Sequence, residues 1–496
     1  MELRSVAVVG SGSPGGGMAQ VPAEYGVVAA RGADWADGLP VPLDVPPERV
    51  AAALAGARRL VVLDDDPTGT QTVRDVPVLT RWGVDDIAWA LEQDTPGFFV
   101  LTNTRSLSPE DAAQRNREAA EAALTAAARA GVDLVFASRS DSTLRGHFPL
   151  ETDVLSAVLA AHDEPVDGVL LSPAYIDAGR VTLDGVHWLR SPSGLTPAGE
   201  SEFARDATFG YRASRLSDWV EEKTGGRIPR AGVRLVTLPE LRGSTGALQQ
   251  ALSSAREGGV LVVDAVTDDD LRATALAVVE AEAAGIRLIY RVGPSFVRAR
   301  LGQGAHQPLT DSQLDELTGD GHGLIAIGSH VGLTTRQLDR LAARVDPALI
   351  EVDVERIVTG DAASHVDEVV ARAATALSDA PVVVSTSRRL RLGATAADSL
   401  DVSRRVSAAL TEAVRRIVAA RRPAYVVAKG GITSSDIATH SLGIDRAMVR
   451  GSLLPGIVSL WQAESGPSLG LPYVVFAGNV GDDDALADVV ERLEGR

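Results

Sequence analysis

The sequence VVLDDDPTGTQTV, residues 61–73, has the pattern of a buried strand that ends in a polar turn. Its apolar start predicts a parallel strand, and three consecutive carboxylates follow at Asp64, Asp65 and Asp66. Open α/β sheets bind ligands outside the carboxyl ends of their strands. Two carboxylates and the Thr68 hydroxyl can bind the hydroxyls of a polyol, accept a proton or hold a hydrated Mg²⁺. The alternative is a solvated acidic turn in which Asp66 is a helix N-cap.

The composition excludes several classes of protein. At 496 residues the chain is too long for one hydrophobic core, so two domains are predicted. Because it contains no cysteine, disulfides, iron–sulfur clusters and thiolate zinc sites are excluded, and the eight histidines have no metal-binding spacing. A net charge of −18 argues against general binding to nucleic acid or anionic membranes. No apolar run reaches the ~18 residues of a membrane span, and a cytoplasmic location is predicted.

Residues 1–45 are predicted to form a loosely ordered extension. They contain GSGSPG at 10–15, which matches the G-x-G-x-x-G pattern of dinucleotide-binding loops. That pattern requires a helix to begin at its last glycines, but Pro14 lies within it and Pro22 follows soon after. We therefore reject the motif as a nicotinamide site.

Residues 46–305 repeat strand, polar loop and helix, which predicts an α/β domain with a mainly parallel sheet and helices on both faces. The loops after three predicted strands each contain an arginine beside hydrogen-bonding groups: Asn103, Thr104 and Arg105; Arg139, Asp141, Ser142 and Arg145; Tyr175, Gly179 and Arg180. Because guanidinium groups suit carboxylates and hydroxyl side chains suit hydroxyls, the set predicts a small hydroxylated acid as ligand. The alternative for any single arginine is a helix cap or a pair with a nearby aspartate.

A stretch rich in Gly, Gln, Asp and Thr at 302–323 predicts the domain boundary. A second α/β domain is predicted over residues 320–496. In this domain Ser329 and Thr334 lie between a predicted strand and a predicted helix, where hydroxyl groups are available to a ligand.

Lys429 ends a predicted strand in AYVVAKGGITSSDIA, residues 424–438. Gly430 and Gly431 then permit a close backbone approach, and Thr433 stands where a helix is predicted to begin. N–H groups, hydroxyls and one ammonium therefore surround a point where an anion can bind. Only two of the 48 basic residues are lysine, which favours a phosphate site over the alternative, a glycine-rich turn with a serine cap.

These motifs resemble those of the four-carbon acid sugar kinases. This family was formerly described as a domain of unknown function, and it includes threonate, erythronate and 3-oxo-tetronate kinases. The matching segments are DDPTG (65–69), SRSDSTLRG (138–146), PAYIDAGRVTLDGVHWL (173–189), GSH with T-x-x-Q (328–337), AKGGITSSDIA (428–438) and AGNVGDDDAL (477–486). The resemblance implies ATP-dependent phosphorylation of a terminal hydroxyl of a four-carbon sugar acid. It also implies a substrate-binding N-terminal domain, a nucleotide-binding C-terminal domain and an active site in the cleft between them.

The matching positions and the loop chemistry together predict two sets of site residues. The predicted substrate-binding residues are Asp65, Asp66, Thr68, Arg139, Asp141, Arg145 and Arg180. The predicted nucleotide-binding residues are Ser329, Thr334, Lys429, Gly430, Gly431, Thr433 and Gly478. Asp66, Asp65 and Lys429 are predicted to be catalytic, with Asp66 preferred as the base. Arg145, assisted by Arg139, is predicted to hold the substrate carboxylate.

ATP and Mg²⁺ are the expected cofactors, and no metal ligand is assigned. The expected partners are the sugar acid and ATP, without nucleic acid or membrane, and a homodimer is compatible with the sequence. Pro67, His147 and the Phe476-Ala477 pair depart from the family pattern, which leaves the reaction class in place and the particular acid undetermined. Two other functions stay open: a non-catalytic sensor of sugar acids and, less favoured, an NAD-dependent dehydrogenase.

Overall fold

The computed structural model describes residues 28–243, 245–254, 259–388 and 396–495. Within these ranges the chain forms two compact units, one from residues 28–69 and 82–305 and the other from residues 70–81 and 306–495. Each unit is an α/β domain built mainly on parallel strands, so the predicted fold class is confirmed. The GSGSPG motif lies outside the described residues. No helix in the described ranges has the length and apolar character needed to span a membrane.

The strands and helices are as follows. The strands are β1 (Arg59–Asp64), β2 (Val76–Leu79), β3 (Gly97–Leu101), β4 (Leu134–Arg139), β5 (Gly168–Ser172), β6 (Arg180–Leu183), β7 (Val186–Ser191), β8 (Gly194–Pro197), β9 (Val233–Val236), β10 (Gly259–Val263), β11 (Leu288–Val292), β12 (Leu324–Ile327), β13 (Ala348–Val352), β14 (Val382–Thr386), β15 (Val426–Lys429), β16 (Arg446–Leu454), β17 (Val458–Ala463) and β18 (Pro472–Phe476). The helices are α1 (Pro47–Ala53), α2 (Val84–Glu92), α3 (Pro109–Ala130), α4 (Leu150–Ala161), α5 (Leu216–Lys223), α6 (Leu238–Gly243), α7 (Thr245–Ser254), α8 (Asp268–Ala283), α9 (Pro294–Arg300), α10 (Asp311–Leu317), α11 (Gly332–Val345), α12 (Val354–Thr359), α13 (Ala362–Ala376), α14 (Ala396–Ala420), α15 (Gly431–Asp436) and α16 (Ala485–Leu493).

The main sheet of the first unit is parallel, with strand order β3-β1-β4-β11-β5-β10-β9. Its central strands are buried on both faces, which is why they appear in the sequence as continuous apolar runs. The register places Asp64 of β1 beside Leu101 of β3 and Arg139 of β4. The loops that follow these three strands therefore leave the sheet at the same edge.

A small antiparallel sheet, β6-β7-β8, forms in the first unit from the segment PAYIDAGRVTLDGVHWL and the residues after it. The end of the predicted extension packs on this sheet. Arg31 exchanges backbone hydrogen bonds of 2.9 Å with Leu195, and Trp35 and Leu39 pack against the cluster that contains Trp188. Apolar side chains of residues 28–45 therefore pack on the first unit, and the loose order predicted for the extension 1–45 stays a prediction.

The second unit combines five parallel strands, β13-β14-β12-β15-β18, with three antiparallel strands, β17, β16 and β2. Strand β2 lies within the range predicted for the N-terminal domain, so residues 70–81 are a correction to that prediction. They belong to the second unit because β2 pairs with β16. In addition, the Trp461 Nε1 group donates to the Thr70 hydroxyl at 2.9 Å.

Helix α3 shows how closely local signals fix an element. It spans residues 109–130, and the Ser108 hydroxyl accepts from the Asp111 N–H at 3.2 Å as its N-cap. Gly131 then ends the helix in the left-handed conformation at φ 65°. This helix lies between β3 and β4 in the chain and fixes where their polar loops begin.

Candidate functional site

The three aspartates occupy a tight turn after β1. Asp64 and Asp65 are buried, whereas Asp66 is partly exposed. The Asp66 carboxylate accepts the Thr68 N–H at 2.9 Å and also the Thr68 hydroxyl. The Asp66 side chain thus bends back onto its own turn, where the two hydrogen bonds from Thr68 hold it.

Two arginines from neighbouring loops neutralise this cluster. Arg105 Nη2 lies 2.9 Å from Asp65 Oδ1 and 3.0 Å from Asp66 Oδ2. Arg139 Nη1 lies 2.8 Å from Asp64 Oδ1 and 3.6 Å from Asp65 Oδ1. A buried charge pair loses several kcal/mol when one partner is removed, roughly 3–5. The structure therefore brings the predicted Asp65, Asp66 and Arg139 together and adds Arg105 to the site.

Asp65 and Asp66 differ in their protonation. Burial raises the pKa of Asp65 to about 6, with the charge of Arg105 opposing the shift. Burial acts in the same direction on Asp66, but Arg105, Arg139 and the Thr68 hydrogen bonds outweigh it and lower the pKa of Asp66. Asp65 Oδ2 has no hydrogen-bond partner among the described residues. Asp65 therefore combines an available oxygen with a pKa near the operating range of a general base.

The loop after β4 forms a second charged group. Arg145 Nε lies 2.5 Å from Asp141 Oδ2, and Arg145 Nη1 lies 3.5 Å from Asp206 Oδ2. Gly146 closes this loop at φ 121°, and a Cβ atom there would lie 3.2 Å from Asp65 Oδ2. Glycine therefore leaves space beside the unpartnered carboxylate oxygen.

The predicted carboxylate holders, Arg145 and Arg139, already have aspartate partners in this structure. Arg145 is shared between Asp141 and Asp206, and Arg139 is bound mainly by Asp64. Arginines that are paired in this way have less unneutralised charge to offer a ligand. In this structure both arginines are engaged by aspartates, and their contact with the substrate carboxylate stays a prediction.

Glu151 is a site residue that the sequence analysis did not identify. It lies buried at the start of α4 and accepts three hydroxyl groups: Thr104 at 2.8 Å, Ser138 at 3.1 Å and Ser140 at 3.3 Å. Thr104 and Ser140 lie in the loops after β3 and β4, and Ser138 lies in β4, so Glu151 ties the two loops together. The available signal was its place at the end of the polar segment 138–151.

In the second unit, the predicted nucleotide residues converge around Ser329. The Thr334 hydroxyl lies 3.1 Å from Ser329 Oγ and donates to the Gly478 carbonyl at 2.9 Å. A Cβ atom at Gly478 would lie 2.6 Å from Ser329 Oγ, and one at Gly430 would lie 2.9 Å from Thr433 Oγ1. Because β12, β15 and β18 are neighbours in the sheet, the loops that follow them touch here.

Gly431 differs from Gly430 and Gly478 because it has free space beside its Cα atom. A Cβ atom at Gly431 would meet no atom within 4 Å, which leaves its position accessible to a ligand. Gly431 begins α15, a helix of six residues whose Ser434 hydroxyl donates to the Ala428 and Gly430 carbonyls at 2.9 and 2.7 Å. A helix this short adds little dipole, so the backbone and hydroxyls of the loops define the candidate nucleotide site.

Lys429 is placed differently from the prediction. Its side chain is completely buried, the ammonium donates to the Ala477 carbonyl at 2.8 Å, and Nζ lies 3.7 Å from the centre of the Phe476 ring. This arrangement follows from the pairing of Lys429 with Phe476 between β15 and β18. In this structure Lys429 therefore supports the loop that contains Gly478, and its contact with phosphate stays a prediction.

Comparisons with known proteins agree with this division of the chain. Residues 60–300 match the family model of a sugar-binding N-terminal domain, and residues 324–486 match that of a nucleotide-binding C-terminal domain. A D-erythronate kinase from Heliobacterium modesticaldum is 28% identical over 290 residues, 54% of this chain and 58% of that relative. A D-threonate kinase from Salmonella typhimurium is 25% identical over 450 residues, 88% of this chain and 98% of that relative. The chain belongs to the four-carbon acid sugar kinase family.

Solved structures of other proteins share this fold. A crystal structure of a Haemophilus influenzae protein, from the family designated DUF1537, is 17% identical with a TM-score of 0.60, covering 88% of this chain and 99% of that chain. A Salmonella typhimurium LT2 structure, described as a tRNA synthase, is 18% identical with a TM-score of 0.63, covering 87% of this chain and 98% of that chain. At these identities the likeness shows the fold alone.

The buried lysine of this family member gives a pH-dependent prediction. Burial lowers the pKa of Lys429 to about 7, whereas the unfolded chain keeps a value near 10.4. Between these values the unfolded chain binds a proton that the folded chain does not, so stability rises with pH. The cost of burying the ammonium is fully present below pH 7 and disappears as the pH approaches the unfolded value.

We expect the free energy of unfolding of the wild type to rise relative to that of Lys429→Met as the pH increases above 7. The difference should change by at most about 1.4 kcal/mol per pH unit. Urea unfolding at several pH values between 7 and 10 measures it, and the variant cancels the contributions of all other groups. Parallel stability curves for the two proteins would show that Lys429 keeps an ordinary pKa.

Proposed function

We propose that this protein transfers the γ-phosphoryl group of ATP to a hydroxyl of a four-carbon sugar acid of the threonate, erythronate or oxo-tetronate type. The observation that carries the proposal is the unpartnered Asp65 Oδ2 oxygen within a domain that matches sugar-binding models. The sequence similarity to a D-erythronate kinase and a D-threonate kinase supports the substrate class.

Asp65 is the base in this proposal, in place of the Asp66 that the sequence analysis preferred. Both oxygens of Asp66 are engaged, one with Thr68 and one with Arg105, and these contacts stabilise its ionised form. Asp65 keeps one oxygen for a substrate hydroxyl, and its raised pKa suits it to accept the proton. Arg105 then stabilises the Asp65 carboxylate in the form that accepts the proton.

The loops around Ser329 hold ATP in this proposal, and ATP supplies the phosphoryl group. Their hydroxyls and backbone N–H groups suit phosphate oxygens, and glycines at 430, 431 and 478 let the nucleotide approach the backbone. Gly431 faces open space, so it marks the side from which the nucleotide enters. Lys429 acts indirectly in this site by holding the Ala477 carbonyl.

The residues present fit Mg²⁺ only as an ion that arrives with ATP. Among the described residues, no group of three or more histidine, aspartate or glutamate side chains is placed to hold a metal. Mg²⁺ in kinases is typically bound by one or two carboxylates together with nucleotide phosphates. Asp66 Oδ2 keeps a lone pair beyond its contact with Arg105, so this partly exposed carboxylate is the side chain that would hold the ion, which would neutralise phosphate charge.

The proposal is tested by ADP release with a panel of acids: D- and L-threonate, D-erythronate and their 2-oxo and 3-oxo forms. At least one acid should produce ADP in proportion to the acid added. Binding of an acid without ADP release would favour the sensor, the alternative that shares this fold. Binding of NAD without binding of ATP would favour the dehydrogenase, whose GSGSPG motif lies outside the described residues.

A further inference from the structure

Arg180 has a guanidinium group whose charge is not matched by a neighbouring acid. In the loops of the first unit, Arg105, Arg139 and Arg145 each have an aspartate oxygen within 3 Å. In the described part of the chain, Arg180 has no carboxylate within ion-pair distance, and its Nε has no hydrogen-bond partner. Its Nη1 donates to the Ala178 carbonyl. An anionic ligand would supply the missing partner.

Arg291 is the other arginine near this edge without an acidic partner among the described residues. It is completely buried near the end of β11, and its Nη2 donates to the Arg145 carbonyl at 3.1 Å. Arg180 is partly exposed at the start of β6. Of the two unpaired guanidinium groups, only that of Arg180 is therefore within reach of a ligand from solvent.

The backbone of Arg180 is held in a closed turn. Arg180 and Tyr175 exchange two backbone hydrogen bonds of 2.9 Å around the short helix Ile176–Ala178. Gly179 adopts φ 69° to close the turn, and its carbonyl accepts the Arg190 N–H at 2.7 Å. The position from which the Arg180 side chain starts is therefore fixed before any ligand binds.

The side chain of Arg180 packs on the aromatic ring of Phe203. Arg180 Cζ lies 5.8 Å from the ring centre, and Arg145 Cζ lies 5.2 Å from the same centre. Contact with a ring face orients a guanidinium and leaves its N–H edges available. The carboxylate whose charge acts on Arg180 is that of Asp141, and it is already bound by Arg145. Phe203 thus places Arg180 beside the Asp141 group, with Nη1 bonded to the Ala178 carbonyl and Nε without a partner.

We propose that Arg180 binds the carboxylate of the sugar acid and that Phe203 is the positioning residue that orients Arg180 for this contact. The inference rests on the proposed function and specifies the subsite that recognises the acid group. Two parallel N–H donors match the two oxygens of a carboxylate, so the site selects a monocarboxylic hydroxy acid over a neutral polyol with the same hydroxyls. It replaces the expectation that Arg145 makes this contact.

The test compares Arg180→Gln, Arg145→Gln and the control Arg129→Gln, an exposed arginine in the last turn of α3. KM and kcat are measured with the preferred acid and with threitol and erythritol, the neutral polyols. We expect Arg180→Gln to raise KM for the acid about 30-fold or more, with KM for ATP unchanged and most of the preference for acid over polyol lost. Arg129→Gln should behave as the wild type.

Phe203→Leu and Phe203→Tyr separate positioning from folding. Phe203→Leu should raise KM for the acid about tenfold with a smaller change in kcat. Phe203→Tyr should restore KM because it keeps a ring face. A change in melting temperature without a change in KM would mean that Phe203 is only structural and would overturn its positioning role.

The outcomes distinguish this inference from the proposed function. If the wild type phosphorylates an acid but Arg180→Gln keeps its KM and its selectivity, the carboxylate contact is overturned while the function stands. If the wild type phosphorylates no acid, the proposed function fails, and calorimetric titration of the same acids into wild type and Arg180→Gln decides the contact. Equal binding by the two proteins, or binding by neither, overturns it.

Discussion

Replacing Asp65 with Asn is expected to lower kcat by about 10²- to 10⁴-fold, the usual contribution of a general base. The amide keeps the size of the side chain but cannot accept the proton of the substrate hydroxyl. Arg105 retains Asp66 as a partner, so the loop should keep its shape. Single-turnover phosphoryl transfer, together with the melting temperature, measures the effect. Activity within a few-fold of the wild type would remove Asp65 as the base.

The pH dependence separates Asp65 from its neighbour Asp66. Because burial raises the pKa of Asp65 to about 6, the base is protonated below that pH and kcat/KM should fall as the pH drops through 6. The residual activity of Asp66→Asn should keep this decline, since Asp65 is intact. Asp65→Asn should lose it. A decline that disappears in Asp66→Asn instead would identify Asp66 as the base, as the sequence analysis preferred.

Replacing Gly431 with Ala is expected to raise KM for ATP at least tenfold, which corresponds to about 1.4 kcal/mol of binding free energy. The added methyl group meets no protein atom within 4 Å, so the protein itself has room for it. Alanine is also the better residue at the start of a helix, and the melting temperature should stay the same or increase. A loss of ATP binding would therefore come from contact between the methyl group and the nucleotide.

Gly319→Ala is the matched control for this experiment. Gly319 lies in the same unit, and a Cβ atom there also meets nothing within 4 Å. The control should keep the KM for ATP of the wild type, and the shift in melting temperature on adding ATP reports binding independently of activity. If Gly431→Ala matches Gly319→Ala in both measurements, the nucleotide does not approach Gly431.

Continuous apolar runs in the sequence predict strands that the structure contains. The runs at 168–172, 288–292 and 324–327 coincide with β5, β11 and β12 because strands buried on both faces leave few polar positions. Strand β2 was missed, since its four residues VPVL carry no periodic signal and its partner β16 is distant in the chain. Pairing with a distant strand is decided by tertiary contacts.

The sequence indicated which residues gather at the candidate site better than it indicated which of them contact each other. The chain order placed Asp65, Asp66 and Arg139 at the ends of adjacent strands, and parallel pairing brings such ends together. Which arginine is left without an acidic partner depends on three-dimensional distances, so Arg145 was favoured although Asp206 and Asp141 neutralise it. These distances have no signature in a single sequence.

Two buried charged residues show what local pattern does and does not reveal. Arg291 interrupts the apolar strand LIYRV, which was a usable signal of a special role. The rarity of lysine singled out Lys429 correctly as unusual, but the direction of its side chain follows from the pairing of β15 with β18. That pairing turns the ammonium towards Phe476 and Ala477.

The central claim is that a phosphoryl group moves from ATP to a four-carbon sugar acid on this protein. Phosphorus NMR of a reaction with ATP, Mg²⁺ and the acid that gives the most ADP release tests it directly, with Asp65→Asn as the matched blank. The account predicts a new phosphate monoester signal on the acid, equal in amount to the ADP formed by the wild type, and little of either with the variant. ADP accompanied by inorganic phosphate, without a phosphorylated acid, would contradict it.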